Sequence, residues 1–270
     1  MLRGMDRRGF LIAAGGALAA PVLARAQPAD AIAPYYDRLQ RGLLDAGGGG
    51  FVDPTENRLL AEHNGFRRAH GLGALVRSSV LDDAARAHVA DLLRRKYFAH
   101  ASPEGFTSEH RVGLLARRWV GAAGENIAMQ EGGESQPGAA ELAKMWRDSP
   151  GHRANMLRRE YTHVGFGVVA KGDATIAGAV FGHTYAELAS PAPFRIRRGD
   201  ELAGVLDGAA PLLTGYELQP VDGGEAVGPF EGDAAPERLS PGAYAIRPHA
   251  PDPAVPDRYW VLFGPIVVAV

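Results

Sequence analysis

The stretch Trp146-Arg147-Asp148-Ser149-Pro150-Gly151-His152-Arg153-Ala154-Asn155-Met156-Leu157 contains the end of one predicted helix and the start of another. Ser149 is a favoured N-cap residue and Pro150 suits the first helical position, so a new helix is expected to begin here. His152 is then the third residue of that helix, close to the positive end of its dipole. This field disfavours a charged imidazole, and the neutral form can bind a metal ion or accept a proton.

Predicted helices and strands surround this stretch. Apolar residues at helical spacing predict three helices, over residues 53–70, 79–96 and 139–148. Asp53 and Glu56 suit the two acceptor positions of a capping box on the first helix. Two strands joined by a turn at Lys171-Gly172-Asp173 are predicted over residues 164–170 and 175–185. Helices and a strand pair in this order indicate an α+β fold with three layers.

Composition divides the chain into four predicted segments. They are an export signal at 1–26, a short helix and glycine-rich linker at 27–52, the α+β domain at 53–185, and a β-rich C-terminal extension at 186–270. In the extension, proline and glycine multiply, and short β-type runs such as 259–263 replace helical spacing. We therefore expect a small second domain that is built of strands.

The first 26 residues indicate an export signal. The pair Arg7-Arg8 stands before Phe10-Leu11, as in twin-arginine signals, and Ala24-Arg25-Ala26 fits a cleavage site. The apolar run at 10–23 is shorter than the ~20 residues that a transmembrane helix needs. We expect cleavage after Ala26, no transmembrane segment in the mature chain, and a periplasmic or secreted protein.

Charge and cysteine content exclude several classes of protein. The formal net charge is −2, with 29 basic and 31 acidic residues, so no net field attracts nucleic acid. The chain has no cysteine, which excludes disulfides, thiolate catalysis and a lipidated N-terminal cysteine. Stability must therefore come from packing, and no nucleic-acid partner is expected.

Two further residues have local settings that suit a functional site. His100 follows a predicted helix and precedes a loop with Pro103, a position from which a side chain can face a cleft. Glu125 lies in Gly124-Glu125-Asn126-Ile127-Ala128, where an apolar context favours burial of its carboxylate. A buried carboxylate is costly unless donors surround it. The residues alone leave open a purely structural role for His100, Glu125 and His152.

Other polar residues are better explained by structure. His88 shares an apolar helix face and is predicted to be a packing residue, and His63 is predicted to fix nearby backbone. Asn126 and Asn155 are predicted to tie loop and helix-end backbone groups. Ser149 is placed to cap a helix rather than to attack a substrate, because no Gly-x-Ser-x-Gly elbow is present.

Six segments form an ordered set along the chain. They are His63-Asn64 with Arg67 and Gly71; Leu81 with Ala84-Ala85 and His88; Phe98 with His100-Ala101-Ser102-Pro103; Gly124-Glu125-Asn126-Ile127-Ala128; Trp146 with residues 149–157; and residues 162–167. In order and spacing they resemble the signatures of the CAP superfamily, the cysteine-rich secretory, antigen 5 and pathogenesis-related 1 proteins. Residues 53–185 thus resemble an SCP-like extracellular domain of the bacterial type.

The resemblance implies an α-β-α sandwich whose central cleft holds two histidines and two acidic residues. His100 is similar to the first family histidine, Glu125 to the acid of the Gly-Glu-Asn motif, and His152 to the second histidine. Many eukaryotic relatives carry a glutamate three residues after the tryptophan, where this chain has Ser149. The implied cleft therefore contains His100, Glu125, Ser149 and His152.

These observations predict an exported binding module. Its partner is expected to be an extracytoplasmic lipid, peptide or envelope component, and His100 and His152 are candidate ligands of a divalent cation such as zinc. The alternative is a metal-dependent hydrolase of a peptide or envelope polymer, with Glu125 as the catalytic general base. A His-Glu-x-x-His pair is absent from the sequence, which excludes the usual zinc-protease helix.

Overall fold

The computed structural model describes residues 9–13, 29–132, 136–197, 202, 213–231, 239–251 and 259–270. The predicted twin-arginine pair and the cleavage point after Ala26 lie outside the described residues. Contacts divide the chain into two compact units. The first unit contains Arg38–His100 and Gly124–Phe181, and the second contains Ala101–Ala123 and Gly182–Val270.

Six α-helices are present among the described residues. They are α1 Ile32–Asp45, α2 Asp53–Ala69, α3 Ser79–Arg95, α4 Ser108–Leu115, α5 Ala139–Asp148 and α6 Pro150–Met156. The three helices predicted from apolar spacing are confirmed as α2, α3 and α5, and the helix predicted after Ser149 is α6. The helix α4 was not predicted, because eight residues give little room for a periodic pattern. Within the described part of the chain, every helix is too short or too polar to cross a bilayer.

The first unit is organised around a six-stranded sheet. Its strands are β1 Gly9–Ala13, β2 Gly50–Phe51, β3 Val76–Arg77, β4 Trp119–Glu131, β5 His163–Lys171 and β6 Ala174–Glu187. The order is β1-β4-β6-β5-β2, with β3 paired to β5. The predicted strand pair is confirmed as β5 and β6. The strand β4 was missed, because glycine and polar residues interrupt its alternation.

Helices cover both faces of this sheet. Successive residues of a strand point to opposite faces. Val168 packs in a buried cluster with residues of α2 and α5, whereas its neighbour Val169 packs in a second cluster with Val89 and Leu92 of α3. The predicted three-layer α-β-α arrangement is confirmed, with α2, α5 and α6 on one face and α3 on the other.

Two glycines allow α3 to lie directly on β5. A Cβ atom at Gly165 would lie 2.0 Å from the carbonyl carbon of Leu81, and one at Gly167 would lie 2.5 Å from the backbone nitrogen of Arg86. No side chain fits at such distances, so only glycine permits this approach. The close contact fixes the height of α3 above the sheet.

Glu56 of α2 is part of a buried ion-pair network. The predicted capping box of Asp53 and Glu56 is wrong, because Val52 is the N-cap residue and Asp53 is already helical. The fully buried Glu56 carboxylate instead accepts hydrogen bonds from Arg86 of α3 at 3.1 Å and from the Val168 backbone nitrogen at 3.0 Å. A carboxylate that finds partners inside the fold is not available to cap its own helix.

Arg67 fixes the segment that follows α6. Its side chain is 2% exposed, and its guanidinium donates to the carbonyl oxygens of Met156 and Arg158 at 2.9 Å and of Tyr161 at 3.3 Å. It also donates to Gly73 at 2.8 Å. The planar fork of arginine suits several fixed acceptors at once, so one side chain holds the C-terminal side of α6 against α2.

The second unit confirms the predicted β-rich extension. Its strands are β7 Arg195–Ile196, β8 Gly215–Pro220, β9 Val227–Glu231, β10 Gly242–Pro251, β11 Tyr259–Val261 and β12 Ile266–Ala269. The strand order in the sheet is β7-β12-β10-β8-β9, and β11 also pairs with β10. Tyr216, Leu218 and Ile246 belong to its buried core, which also includes Val120.

Arg117 joins distant segments within the second unit. Its guanidinium donates to the carbonyl oxygens of Ile266 at 2.7 Å, Pro193 at 2.8 Å and Ala192 at 3.1 Å. Burial lowers its pKa to about 10, so the side chain is still charged at neutral pH. The extension and the segment Ala101–Ala123 are therefore parts of one folded unit.

His63 is enclosed by aromatic rings in the core of the first unit. The side chain is fully buried, and its ring lies 5.0 Å from that of Phe166 and 5.4 Å from that of Trp146 between centroids. Its Nδ1 is 2.8 Å from the Leu59 carbonyl oxygen, which confirms the predicted tie to nearby backbone. Burial lowers its pKa from 6.5 to about 4, because the charged imidazolium would lose its hydration.

This pKa predicts a loss of stability in acid. The unfolded chain protonates His63 below about pH 6.5, whereas the folded chain resists protonation until about pH 4. The free energy of unfolding should therefore fall by about 3 kcal/mol through this window from His63 alone. Urea unfolding at pH 7 and pH 4.5 measures the loss, which should be smaller in His63→Phe. The matched His70→Phe variant, at the exposed end of the same helix, should keep the full loss.

Candidate functional site

Glu125 lies at the centre of the candidate site, on β4. Its side chain is 3% exposed, so the carboxylate needs hydrogen-bond donors within the fold. His88 Nδ1 lies 2.8 Å from one carboxylate oxygen and His100 Nδ1 lies 3.0 Å from the other. Because a carboxylate accepts, each ring presents its Nδ1–H to Glu125. Two histidines thus share one acid.

The two histidines differ in their access to solvent. His88 is on the buried face of α3 and its side chain is 1% exposed, whereas the side chain of His100 is 31% exposed. Glu125 fixes the ring of His100 through Nδ1, so the opposite edge of the ring carries Nε2. His88 is a buried support, and His100 is the member that a ligand can approach.

The end of α3 brings His100 to this place. Lys96 ends the helix in the left-handed conformation, with φ of 55°, which turns the chain sharply. The hydroxyl of Tyr97 then donates to the carboxylate of Asp91 at 2.7 Å, which ties the segment back to the helix. A left-handed residue other than glycine is uncommon and marks a position that the surrounding structure has fixed.

Two asparagines hold α6 beside β4. Asn126 Nδ2 donates to the carbonyl oxygen of His152 at 3.0 Å, and Asn155 Nδ2 donates to the carbonyl oxygen of Glu125 at 3.1 Å. Asn155 also donates to Asn126 Oδ1 at 2.9 Å. The prediction that both asparagines tie backbone groups is confirmed. These hydrogen bonds hold α6, which carries His152, next to the Gly-Glu-Asn motif of β4.

His152 completes the set from the third position of α6. It is fully buried, and its ring centroid lies 6.3 Å from that of His100. The structure therefore brings together His100, Glu125 and His152, which are separated by 25 and 27 positions in the sequence. The carbonyl of Ser149 accepts from the Arg153 backbone nitrogen at 2.8 Å as the N-cap residue of α6.

Gly124 is needed beside Glu125 for steric reasons. A Cβ atom at this position would lie 2.1 Å from the hydroxyl oxygen of Tyr161. Tyr161 is the residue whose carbonyl Arg67 binds, so its backbone is fixed on the other side. Each residue of the Gly-Glu-Asn motif thus has its own role. Gly124 lets Tyr161 approach the strand, Glu125 orients two imidazoles, and the side-chain amide of Asn126 holds α6.

Residues 60–181, which include the three histidines and the glutamate of the site, match the family model for CAP, the cysteine-rich secretory protein family. This part of the chain is similar to CAP domains. YkwD of Bacillus subtilis strain 168 is 34% identical over 124 residues, which are 45% of this chain and 45% of YkwD. The membrane protein YlbC of the same organism is 34% identical over 119 residues, 43% of this chain and 32% of YlbC. The match spans less than half the length of either relative.

Solved structures are also similar to part of this chain. An outer surface protein from Borrelia burgdorferi has a TM-score of 0.44 and 18% identity, over 50% of this chain and 98% of that one. An extracellular protein with an SCP domain from Bacillus anthracis strain Ames has a TM-score of 0.40 and 24% identity, over 47% of this chain and 40% of that one. Each of these neighbours covers about half of this chain.

His88 is the residue of the candidate site that the sequence did not reveal. It was predicted to be a packing residue because it lies among apolar positions of α3, and it is indeed buried. One signal was present in the sequence, since a buried Glu125 demanded donors. The sequence could not decide which of nine histidines would supply them, because α3 and β4 meet only in the fold.

His100 and His152 are the two sequence-predicted metal ligands, and their ring centroids lie 6.3 Å apart. Both oxygens of Glu125 face histidine Nδ1 atoms, so this acid is placed to orient His100 rather than to bind an ion itself. Within the described ranges, no three His, Asp or Glu side chains form a ligand set for one ion. The site therefore falls short of the three protein ligands of catalytic zinc centres.

Glu125→Gln should change the tautomer of one histidine. Glutamine offers one oxygen acceptor and an NH₂ donor, so it can accept from only one of the two rings. The other ring faces the NH₂ group, which donates, so its Nδ1 must be unprotonated. We therefore expect the proton of that ring to move from Nδ1 to Nε2. Two-bond ¹H–¹⁵N NMR spectra of the histidine side chains distinguish these forms.

The matched variant for this experiment is Glu131→Gln, at the exposed end of the same strand. It should leave every histidine tautomer unchanged. If both His88 and His100 keep Nδ1–H in Glu125→Gln, the acid does not orient them and the hydrogen bonds described above are wrong.

Proposed function

We propose that this protein is exported and that its CAP domain binds an extracytoplasmic ligand or partner at His100. The observation that supports this proposal is the pairing of a partly exposed imidazole with a buried carboxylate. Glu125 fixes the ring of His100, so less rotational freedom is lost when a ligand binds. Preorganised polar groups of this kind are typical of specific binding sites.

His152 supplies a second imidazole to the proposed site. It is the third residue of α6 and is fully buried. Its backbone is held by Asn126, so the distance between the His100 and His152 rings is set by β4 and α6 together. The 6.3 Å between the two ring centroids supports the proposal that both rings contact one ligand.

A divalent cation such as zinc is the first ligand to test. His100 and His152 would hold the ion, Glu125 would orient His100 from behind, and water would fill the other positions. A bound ion would supply a Lewis acid or an attachment point for an anionic partner. With two protein ligands, affinity should be lower than in structural zinc sites.

The geometry favours binding over hydrolysis. A general base must reach the proton that it removes. Glu125 is almost fully buried and faces a histidine with each oxygen, so it is poorly placed to activate a water molecule. The metal-dependent hydrolase is therefore the weaker alternative. The broader partner class, lipid, peptide or envelope component, follows from the export signal and the family.

The location that we propose is the periplasm or the cell exterior. Arg7-Arg8 followed by Phe10-Leu11 fits the twin-arginine route, which carries folded proteins, and Ala24-Arg25-Ala26 provides the cleavage site. Because the chain has no cysteine, it needs no disulfide bond and can reach its final fold in the reducing cytoplasm. Both features suit export after folding.

Titration of zinc into the full-length protein by calorimetry tests the site. We expect one ion to bind with micromolar affinity or tighter, and His100→Ala and His152→Ala each to weaken binding about tenfold or more, ~1.4 kcal/mol. The matched control is His70→Ala, an exposed histidine of the same unit, which should bind as wild type does. Loss of affinity in all three variants would indicate general surface binding.

The opposite results are equally informative. If the wild-type protein takes up no zinc, or if both variants bind as tightly, the metal part of the proposal is wrong. The hydrolase alternative predicts that zinc-loaded protein cleaves peptide or envelope polymers and that Glu125→Ala abolishes turnover but retains binding. We expect no turnover in the wild type.

A further inference from the structure

The strand β1 lies within the predicted export signal and pairs with one edge of β4. Gly9 is opposite Glu131 and Ala13 is opposite Ile127, in an antiparallel register. The other edge of β4 pairs with β6. The proposed cleavage after Ala26 removes β1, so it uncovers the backbone N–H and C=O groups along the edge of residues 127–131.

This edge lacks the charges that usually protect an exposed strand. Its sequence is Ile127-Ala128-Met129-Gln130-Glu131, so the one charged residue stands at its end. Free edges of natural sheets are commonly protected by lysine, proline or a bulge, which prevent pairing with another chain. An edge without such protection suits β-augmentation, in which an extended peptide adds a strand to a sheet.

An apolar groove lies beside this edge. Its volume is about 700 Å³, and it is lined by residues from the end of α3, the segment after α3, β4 and β6. Cavities of this size with mainly apolar walls are typical of ligand sites. Several of the lining side chains are only partly buried. The large apolar lining residues are Leu92, Leu93, Tyr97, Phe98, Met129 and Ile176.

The side chains of β4 alternate between the groove and the opposite face of the sheet. Ile127 is in the buried cluster that contains Val89 of α3, and Met129 packs against the same cluster. Ala128 belongs to the cluster on the side of α2 and α5. Residues opposite each other on paired strands point to the same face. In an added strand, the residue opposite Met129 therefore faces the groove.

We infer that, once the signal is cleaved, the edge of residues 127–131 accepts an extended apolar peptide as an additional antiparallel strand. The chain itself indicates this occupant, because Gly9-Phe10-Leu11-Ile12-Ala13 forms such a strand in the full-length protein. Backbone hydrogen bonds hold the peptide, and every second side chain enters the groove. The export signal thus covers the edge until cleavage frees it for a partner.

Charge at the groove favours an acidic residue next to the apolar stretch of the peptide. Lys96 and Lys171 line the groove together with Glu131, so two cations stand against one acid. In the antiparallel register, the N-terminal end of the peptide lies at Glu131. This inference rests on the proposed cleavage, and it is independent of the ligand of His100.

Fluorescence anisotropy with a labelled peptide tests the site. The probe is fluorescein-Glu-Glu-Gly-Phe-Leu-Ile-Ala-amide, and the protein is the chain without residues 1–26, which keeps every described helix and strand except β1. We expect saturable binding. The full-length chain should bind roughly tenfold more weakly or less, because β1 leaves the edge open in only a fraction of the molecules.

A full-length variant repeats this test without truncation. In an antiparallel pair, the N–H groups of alternate residues point to the partner strand, so either Phe10 or Leu11 donates to β4. Proline has no N–H to donate. The double variant Phe10→Pro/Leu11→Pro should therefore release β1 and bind the probe as tightly as the shortened chain does.

Methylation of the peptide backbone distinguishes strand addition from simple apolar capture. One probe is N-methylated at its Phe and Ile, and the other at its Leu and Ala. Only one of these sets donates to β4, so one probe should bind roughly tenfold more weakly or less, while the other binds as the parent does.

Two variants of β4 test the groove. Met129→Ala should weaken binding of the parent probe, because Met129 lines the groove. The matched Gln130→Ala, at the neighbouring position on the opposite face, should bind as the unaltered shortened chain does. Thermal unfolding of each variant confirms that the fold is retained.

Three binding results would overturn the inference. They are no saturable binding by the shortened chain and the double proline variant, equal binding by the full-length and shortened chains, and equal weakening by the two methylation patterns. Sedimentation adds a fourth. If the shortened chain dimerises and Met129→Ala does not, the edge joins two copies and the peptide assignment is wrong.

N-terminal sequencing of the exported protein tests the cleavage separately. We expect the chain to begin at Gln27. If the exported protein keeps residues 1–26, β1 still covers the edge and the inference is wrong for that reason, even when the shortened chain binds the probe. If cleavage occurs and the shortened chain does not bind the probe, the export proposal stands and the strand-acceptor site is wrong.

Discussion

The burial of the Glu125 carboxylate is the constraint on which the candidate site depends. A buried carboxylate without donors is unfavourable, and removal of a partner from a buried polar group costs on the order of 1–3 kcal/mol. Glu125 takes its donors from His88 in α3 and from His100 in the next loop, while its backbone carbonyl accepts from Asn155 in α6. One residue of β4 therefore connects α3, the loop that follows it and α6, and its carboxylate finds these two histidines only when α3 and that loop are folded against the strand.

Hydrogen bonds from side chains to backbone carbonyls hold these segments in place. Arg67 binds three carbonyls on the C-terminal side of α6, and Asn126 binds the carbonyl of His152 inside that helix. Such bonds depend on chain path rather than on the identity of the residue that is held. The glycines of β5 act in the same way, since they fix the distance between α3 and the sheet. The backbone of His152 is thus positioned by a bond that makes no use of its imidazole, whereas the rings of His88 and His100 are oriented directly by Glu125.

The second unit shows that the match to the CAP family and the folded units follow different boundaries. The family match ends at residue 181, yet Ala101–Ala123 belongs to the same unit as Gly182–Val270. Arg117 links the segment Ala101–Ala123 to the extension, because it donates to the carbonyl oxygens of Ala192, Pro193 and Ile266. Without the extension, this partly buried guanidinium would lose most of its acceptors. The extension is thus part of one folded unit with Ala101–Ala123.

The sequence by itself determined the α+β class, the extents of α2, α3 and α5, the hairpin of β5 and β6, and the start of α6 at Ser149, because periodicity, caps and turns are local properties. It also singled out His100, Glu125 and His152 through short motifs. It predicted the burial of His88 but not its bond to Glu125, it assigned Glu56 wrongly to a capping box, and it missed β4, since these features depend on partners that lie far away along the chain. Only the tertiary structure decided that His88 and His100 share Glu125, because three-dimensional packing alone determines which donors reach a buried acid.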